Sequence, residues 1–486
     1  MFSRTFLPTV FIALVICGVA VILRPTPVSG AEDKIAPRVM TDTTEGRVTE
    51  ALVVLREQAD LSPAATMRTK LEKGRFVVNT LREVAARTQS PLKRFLEQRG
   101  IPYQSFYIAN MIKITGNRDL MQEIAARTDV ARIDANPHVR TSLPLPTGRD
   151  VRSNSINSVE WNISRVGAPQ VWAMGFRGEG HTVADADTGV QWDHPALKSH
   201  YRGWDGTKVD HDYNWHDASP DHSPTPIDPN DHGTFTASEL VGNDGAGNQV
   251  GVAPGAKYFA CRNMDANGTG SPSSYTECFE FLIAPYPVNG NPTQGDPALA
   301  PDSINNSWEC PSSEGCSANT LLQIVNTVRL AGIFPAAAAQ NSGSGCSTVS
   351  NPPGIYASAV SVGSTNSQDK ISSFSSRGPV TADGSNRLKP ELSAPGENIR
   401  GAVPGGGYQS GWSGTSMATP EVAGGVALIW QAKPNLDGDI QGTERLLEQT
   451  ARHMTSTQNC GGSGQNIPNN VFGWGIINLS QAVRSK

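Results

Sequence analysis

Short apolar segments alternate with segments of helical periodicity over most of the chain, and this alternation predicts its architecture. After Trp161, strands are predicted at residues 181–186, 257–262, 303–307, 333–339 and 359–362. Helices are predicted after His232, near Ser274, near Ala318 and after Ser416. Such alternation is typical of a mainly parallel sheet with helices on both faces, an α/β fold in three layers.

The segment from residue 31 to residue 146 has a different pattern. Residues 48–55 alternate as a strand, 76–98 have helical spacing, 103–114 indicate one or two strands, 117–127 a helix and 130–133 a strand. The order β-α-β-β-α-β fits a small ferredoxin-like sheet with two helices on one face. Residues 31–47 and 143–155 have the composition of linkers. We therefore predict a small α+β domain at 31–150 and a larger domain at 151–486.

The first 30 residues have the features of an export signal. Arg4 precedes an apolar run at residues 6–23, and small residues follow up to Gly30, where cleavage is predicted. An uncleaved membrane anchor is the alternative, because the run approaches the roughly 18 residues that span a bilayer. We predict a signal peptide at residues 1–30 and a secreted protein, with a membrane-anchored protein as the alternative.

Charge and cysteine content narrow the class of function. A formal net charge of -5 and a pI near 6.0 give no basic footprint, so no nucleic-acid partner is predicted. Of the seven cysteines, Cys17 lies in the predicted signal, and the even set that remains predicts disulfides in a secreted chain. Closeness in sequence suggests the pair Cys310 and Cys316, and the other pairings stay open. The spacing of the cysteines does not resemble a zinc site.

Four polar residues are placed where a nucleophilic site can be built. Ser416 follows a tight turn at a predicted helix N-terminus, where backbone N–H groups and the helix dipole favour an oxyanion. Asp187 ends a predicted strand, His232 begins a predicted helix, and Asn341 follows a strand of small residues. Taken singly, these are ordinary cap and turn residues. Together they supply a nucleophile, a base, a group that orients the base and an oxyanion donor.

The motifs Asp-Thr-Gly at 187, His-Gly-Thr at 232 and Gly-Thr-Ser-Met-Ala at 414 resemble those of subtilisin-type serine proteases. Residues 191–206 resemble the bacillopeptidase F branch, and the resemblance extends from about residue 159 to residue 483. It implies a subtilisin-like fold, a triad of Asp187, His232 and Ser416, and Asn341 as oxyanion donor. The implied activity is that of a secreted serine endopeptidase that hydrolyses protein or peptide substrates through an acyl-enzyme.

The same resemblance implies a self-processing zymogen. Residues 31–150 then contain a propeptide that acts as a folding chaperone and as an intramolecular inhibitor, and self-cleavage is expected between residues 144 and 155. No cofactor is required in this family, and a monomer is expected. Calcium is common as a structural ion, and the acidic residues between 205 and 231 are candidate oxygen ligands. No segment has the spacing of a known calcium loop, so no metal-binding residue is predicted.

Two departures from the family pattern affect the pocket for the residue before the scissile bond. One wall, Ser-x-Gly in the family, is Ser307-Trp308-Glu309 here, and the facing wall ends in Ala339-Gln340 where the family has Gly. Side chains in place of glycine predict a narrower pocket, which favours small residues, or basic residues if the Glu309 carboxylate points inward. Further departures beside the expected catalytic residues are Asp185, Asp231, Phe235 and Glu421.

A secreted pseudoprotease is the alternative function. Such a protein would keep the subtilisin fold and bind peptides without efficient turnover. The intact set of Asp187, His232, Ser416 and Asn341 argues against it.

Overall fold

The computed structural model describes residues 30–140, 143–146 and 158–485. Residues 1–29 of the predicted signal peptide and most of the predicted cleavage region therefore lie outside the described residues. Within the described ranges, no helix combines the length and the apolar character needed to cross a bilayer.

Residues 31–135 form a small α+β unit, in which the elements follow the predicted order from β1 onward, while helix α1 lies where a linker was predicted. Its elements are α1 (Pro37–Asp42), β1 (Thr49–Leu55), α2 (Lys70–Gln98), β2 (Tyr103–Phe106), β3 (Met111–Gly116), α3 (Arg118–Ala125) and β4 (Val130–Ala135). The four strands pair antiparallel in the order β2-β3-β1-β4, as in a ferredoxin-like sheet. Helix α2 begins six residues before the predicted residue 76, because Thr69 and Glu72 form a capping box there.

The larger unit contains the remaining elements of the chain. Strand β5 (Val139–Arg140) lies in the tail of the small unit, the chain that follows residue 135. The strands of the larger unit are β6 (Ser158–Val159), β7 (Thr182–Asp187), β8 (Trp215–Asp217), β9 (Asn248–Gln249), β10 (Lys257–Arg262), β11 (Thr269–Gly270), β12 (Ser303–Asn306), β13 (Phe334–Ala338), β14 (Val360–Thr365), β15 (Leu392–Pro395), β16 (Ile399–Val403) and β17 (Gly407–Trp412). Its helices are α4 (Trp161–Arg165), α5 (Ala168–Ala173), α6 (His232–Val241), α7 (Pro272–Ile283), α8 (Leu322–Leu330), α9 (Thr415–Ala432), α10 (Ile440–Thr450) and α11 (Leu479–Arg484).

Seven of these strands form one parallel sheet with the order β15-β14-β13-β12-β7-β10-β8. Helices α6 and α9 pack on one face, and α7 and α8 pack on the other. The prediction of a three-layer α/β fold is confirmed. The edge strands β8 and β15 were not predicted, because short edge strands carry too few residues for a periodic signal. The antiparallel pair β16–β17 was not predicted either.

The small unit and the larger unit share one continuous apolar core. This core joins Leu52 and Val77 of the small unit to Tyr275 and Phe281 of the larger one. Two backbone amides, of Tyr107 and Ile108, donate to the buried Glu280 carboxylate at 2.6 and 2.9 Å. Burial raises the pKa of Glu280 to about 8, and these two hydrogen bonds offset only part of that effect.

Three disulfides crosslink the larger unit, and the predicted pair is among them. The pairs are Cys261–Cys278, Cys310–Cys316 and Cys346–Cys460. The last joins residues that are 114 positions apart, so it closes the largest loop.

Candidate active site

Asp187 and His232 meet at the carboxyl edge of the parallel sheet. Asp187 is the last residue of β7 and His232 is the first residue of α6. His232 Nδ1 lies 2.7 Å from Asp187 Oδ1, and both side chains are buried. The Thr188 amide also donates to Asp187 Oδ1, at 2.7 Å. Because Nδ1 faces a carboxylate, it carries the proton in the neutral ring, and Nε2 is left as the basic atom.

A second carboxylate, Asp228, links the end of β7 to the start of α6 by hydrogen bonds. It accepts the Thr188 hydroxyl at 2.9 Å, and both the amide and the hydroxyl of Thr234 at 2.7 Å. The Thr188 hydroxyl in turn accepts the Gly233 amide at 2.9 Å. Burial raises the pKa of Asp228, although these hydrogen bonds favour its ionised form. In the sequence Asp228 is one acidic loop residue among several, since its partners are not adjacent in the chain.

Ser416 lies at the second position of α9, and Gly414 is the N-cap residue of that helix. The Ser416 hydroxyl donates to the Ser307 carbonyl at 3.2 Å. Pro420 lies inside α9 rather than in its first turn, and it has no N–H to give to the Ser416 carbonyl. The Ser307 hydroxyl replaces that donor at 3.0 Å. Ser307 and Ser416 are therefore tied to each other by two hydrogen bonds.

Asn341 lines the same small cavity as Ser416. Its Oδ1 atom accepts the Thr415 amide at 2.8 Å and the Thr415 hydroxyl at 3.0 Å. A backbone N–H can only donate, so the atom that faces it must be the oxygen. The Nδ2 group is thereby turned away from Thr415 and is available as a donor.

Most of the residues predicted to line the substrate pocket surround a small cavity. Its lining consists of Ser307, Trp308, Glu309, Ala338, Gln340, Asn341, Thr415 and Ser416. The cavity volume is about 10 Å³, which is room for about one water molecule. Ala338 lines the cavity in the place expected for Ala339, whose side chain is fully buried.

The two pocket side chains that replace family glycines are held by one loop. Gln340 has a φ of 80°, a conformation that favours glycine. Its side chain donates to the Asn351 carbonyl at 2.6 Å and accepts the amides of Ser350 and Asn351 at 3.0 and 3.3 Å. Glu309 accepts the Asn351 side-chain amide at 2.8 Å. Burial raises the pKa of Glu309, and the bond from Asn351 offsets part of this rise.

The tail of the small unit enters the same site. Strand β5 pairs antiparallel with β11, with Arg140 opposite Thr269 and Val139 opposite Gly270. Further along the chain, the ring of Pro144 lies so close to Gly414 that it leaves no space for a Cβ there. The described part of the tail thus lies beside the turn that precedes Ser416.

Three acidic side chains of the loops between residues 205 and 231 bind protein donors. Asp217 and Asp221 bind the buried Arg262 guanidinium at 3.1 and 2.8 Å, and Asp228 accepts the donors named above. In the described ranges, no three His, Cys, Asp or Glu side chains converge as metal ligands. Calcium needs six to eight oxygen ligands, and these carboxylates already serve protein donors.

Comparison with known proteins adds an independent observation. The model of the subtilase family matches residues 178–475. Bacillopeptidase F of Bacillus subtilis (strain 168) is 34% identical over 444 residues, which cover 88% of this chain and 30% of that protein. The chain thus spans less than a third of the length of that relative.

Two shorter relatives match over two thirds of this chain. Subtilisin Savinase of Lederbergia lenta is 32% identical over 327 residues, which cover 67% of this chain and 99% of that protein. The alkaline protease of Alkalihalobacillus alcalophilus is 32% identical over 327 residues, which cover 67% of this chain and 70% of that protein. With the parallel sheet and the residues gathered at its carboxyl edge, these matches show that the chain belongs to the subtilase family.

Proposed function

We propose that the protein is a secreted serine endopeptidase that is made as a self-processing zymogen. The observation that carries this proposal is the 2.7 Å bond between Asp187 and His232, together with the place of Ser416 in the first turn of α9. Asn341, held through Thr415, supplies an amide donor beside it. Its substrates are proteins or peptides, and it works as a monomer without a required cofactor.

The proposed reaction is acyl transfer. His232 Nε2 takes the proton of the Ser416 hydroxyl as that oxygen attacks a peptide carbonyl, and Asp187 stabilises the imidazolium that forms. The N-terminus of α9 and the Asn341 amide stabilise the oxyanion of the tetrahedral intermediate. His232 then gives the proton to the leaving amine, and water releases the acyl group by a second attack of the same kind.

The resting geometry requires one rearrangement before attack. The Ser416 hydroxyl donates to Ser307, and His232 Nε2 is buried without a hydrogen-bond partner among the described residues. A rotation of the Ser416 side chain would redirect the hydroxyl toward His232. Catalytic hydrogen bonds are often long or absent before substrate binds.

The pocket lined by Ser307, Trp308, Glu309 and Gln340 is proposed to receive the residue before the scissile bond. Its cavity of about 10 Å³ supports a preference for small residues. Ala339 takes part only through its backbone in this proposal, since its side chain is fully buried.

Residues 31–150 are proposed to act as the propeptide and intramolecular inhibitor. Two observations support this role: the apolar core shared with α7, and the position of Pro144 against Gly414 beside the site. Removal by self-cleavage after export is part of the proposal, as is cleavage of the signal peptide after Gly30.

The test compares the N-terminal sequence of the secreted protein with that of its Ser416→Ala variant. We expect the parent to begin between residues 144 and 155 and the variant to keep its propeptide. Ser463→Ala, which changes an exposed serine, is the matched control and should be processed like the parent. If the parent and Ser416→Ala both keep the propeptide and cleave no peptide, the pseudoprotease function replaces the proposed one.

A further inference from the structure

Three buried carboxylic acids lie on β7, α6 and α9, and no step of the proposed reaction uses them. Asp185, Glu239 and Glu421 are each at most 1% exposed. Asp185 is two residues before Asp187 on β7, so both side chains point to the same face of the strand. Glu239 belongs to α6 and Glu421 to α9, the two helices that pack on one face of the sheet.

Glu239 and Glu421 are poorly satisfied as ions. Asn162 on α4 donates to Glu421 Oε1 at 2.8 Å. Both oxygens of Glu239 and the Oε2 atom of Glu421 are buried without a hydrogen-bond partner in the described part of the chain. A buried carboxylate without donors is strongly unfavourable, whereas a neutral carboxyl has an O–H that can donate to a neighbouring oxygen.

The charges around the two acids favour the neutral form. Burial raises the pKa of Glu239 well above its ordinary value, and repulsion by Glu421 and Asp185 adds to that rise. Burial does the same for Glu421, against which the bond from Asn162 and the charge of Arg452 act less strongly. Arg452 donates through Nη1 to the Arg165 carbonyl at 2.7 Å, and its Nη2 atom lies 3.6 Å from Asp369 Oδ1, so part of its charge is directed away from Glu421.

Asp185 itself has two donors. The Thr236 hydroxyl donates to its Oδ2 atom at 2.9 Å, and the Asn305 amide donates to its Oδ1 atom at 2.8 Å. Burial nevertheless raises the pKa of Asp185, and the charge of Asp187, followed by Asp228 more weakly, acts in the same direction. Asp185 is therefore pushed toward its neutral form in the same way as the two glutamates.

The two glutamates lie at the contact between two helices that matter for the proposed reaction. His232 opens α6 and Glu239 follows it by two turns, while Ser416 is near the start of α9 and Glu421 follows it by five residues. The helix backbones are close, since a Cβ on Gly424 would lie 2.9 Å from the Leu240 carbonyl oxygen. A change of charge at this contact therefore acts between the helix of the base and the helix of the nucleophile.

We propose that Glu239 and Glu421 are positioning residues that work as neutral carboxylic acids and hold α6 against α9, so that rising pH uncouples the two helices. The folded protein keeps protons that the unfolded chain releases above the ordinary glutamate value of 4.5. Their contribution to stability is therefore complete below that pH and falls as the pH rises. Each such carboxyl lowers the folding equilibrium constant up to tenfold per pH unit.

The first test measures unfolding by denaturant over pH 4 to 9 in full-length Ser416→Ala protein, with and without Glu239→Gln and Glu421→Gln. Glutamine keeps the shape of the neutral acid and cannot ionise. In the parent, the folding equilibrium constant should fall as the pH rises, and the two glutamates should cause up to a hundredfold of that fall per pH unit. The double variant should lack this part of the fall. Exposed Glu83→Gln is the matched control and should follow the parent. Equal pH dependence of parent and double variant would overturn the proposal.

The single variants keep the test decisive if the double variant does not fold, since each should remove up to tenfold per pH unit. The second test uses protein with Ser416 intact and measures kcat/KM against pH. We expect the alkaline loss of activity to move to higher pH in the glutamine variants, and an unmoved profile would refute the positioning role. This second consequence rests on the proposed function. The stability test does not, so the two failures are distinguishable.

Discussion

Restoring the two family glycines should widen the pocket beside Ser416. The change is the double variant Glu309→Gly with Gln340→Gly, which removes both side chains that replace glycine in the pocket walls. In the parent, a cavity of about 10 Å³ has no room for an aromatic side chain. We expect the variant to accept large apolar residues before the scissile bond.

The size of the effect follows from apolar burial. Full burial of a Phe side chain is worth about 1.5–3 kcal/mol. At about 1.4 kcal/mol per tenfold, kcat/KM for a Phe substrate should rise about 10- to 150-fold relative to the matching Ala substrate.

The same substitution has a cost in stability. A glycine at position 340 would relieve about 1–2 kcal/mol of left-handed backbone strain. It would also remove three hydrogen bonds to residues 350 and 351, each worth about 0.5–1.5 kcal/mol. The balance favours a net loss of up to about 3 kcal/mol, so stability must be measured beside activity.

The assay is cleavage of a peptide series that carries Ala, Leu, Phe or Lys before the scissile bond. Glu309→Gln is the matched control, because it removes the charge and keeps the volume. It should change only the Lys substrate. The reasoning is refuted if the parent already prefers Phe, or if the double glycine variant leaves the Phe-to-Ala ratio unchanged.

Two further predictions concern stability and the interface between the two units. Replacing Cys346 and Cys460 by Ala should lower the free energy of unfolding by about 5 kcal/mol, as denaturant titration would measure. Replacing Cys310 and Cys316, which are six positions apart, should lower it by only about 2 kcal/mol. Equal losses would contradict the loop-entropy argument. Glu280→Ala should loosen the interface more than Glu280→Gln, because glutamine still accepts the two amides. Since the pKa of Glu280 is raised to about 8, the parent interface should weaken from pH 4.5 to about pH 8 while the Gln variant does not, as hydrogen exchange at residues 107 and 108 would measure.

The regular elements were predictable where apolar residues repeat over a long segment. Strand β10 has the predicted bounds, and the order of elements in the small unit is as predicted from β1 onward. Strand β8 has three residues and lies at a sheet edge, so tertiary pairing defines it and periodicity does not. The pairing of Cys346 with Cys460 also depends on the whole fold, since 114 positions separate them.

The candidate site was predictable as a set of residue types, because each of its members lies within three residues of the end or the start of an element. Its supporting contacts were not. Asp228 reaches partners on two elements, and Gln340 binds a loop that follows it by ten residues. Nothing in the sequence distinguished Glu239, which lies in a helix of mostly apolar or small residues. Such contacts depend on side-chain direction in three dimensions, which a sequence pattern does not contain.

Because the two units share an apolar core, cleavage of the link between them does not by itself release the small unit. Leu52 and Val77 pack in one cluster with Tyr275 and Phe281, so dissociation would expose apolar surface on both sides to water. Cleavage of the covalent link between the units breaks none of these contacts. Once the link is cut, the two pieces would stay together as a complex, and their lifetime would be set by the rate at which that surface opens. Destruction of the small unit would open the site without that dissociation.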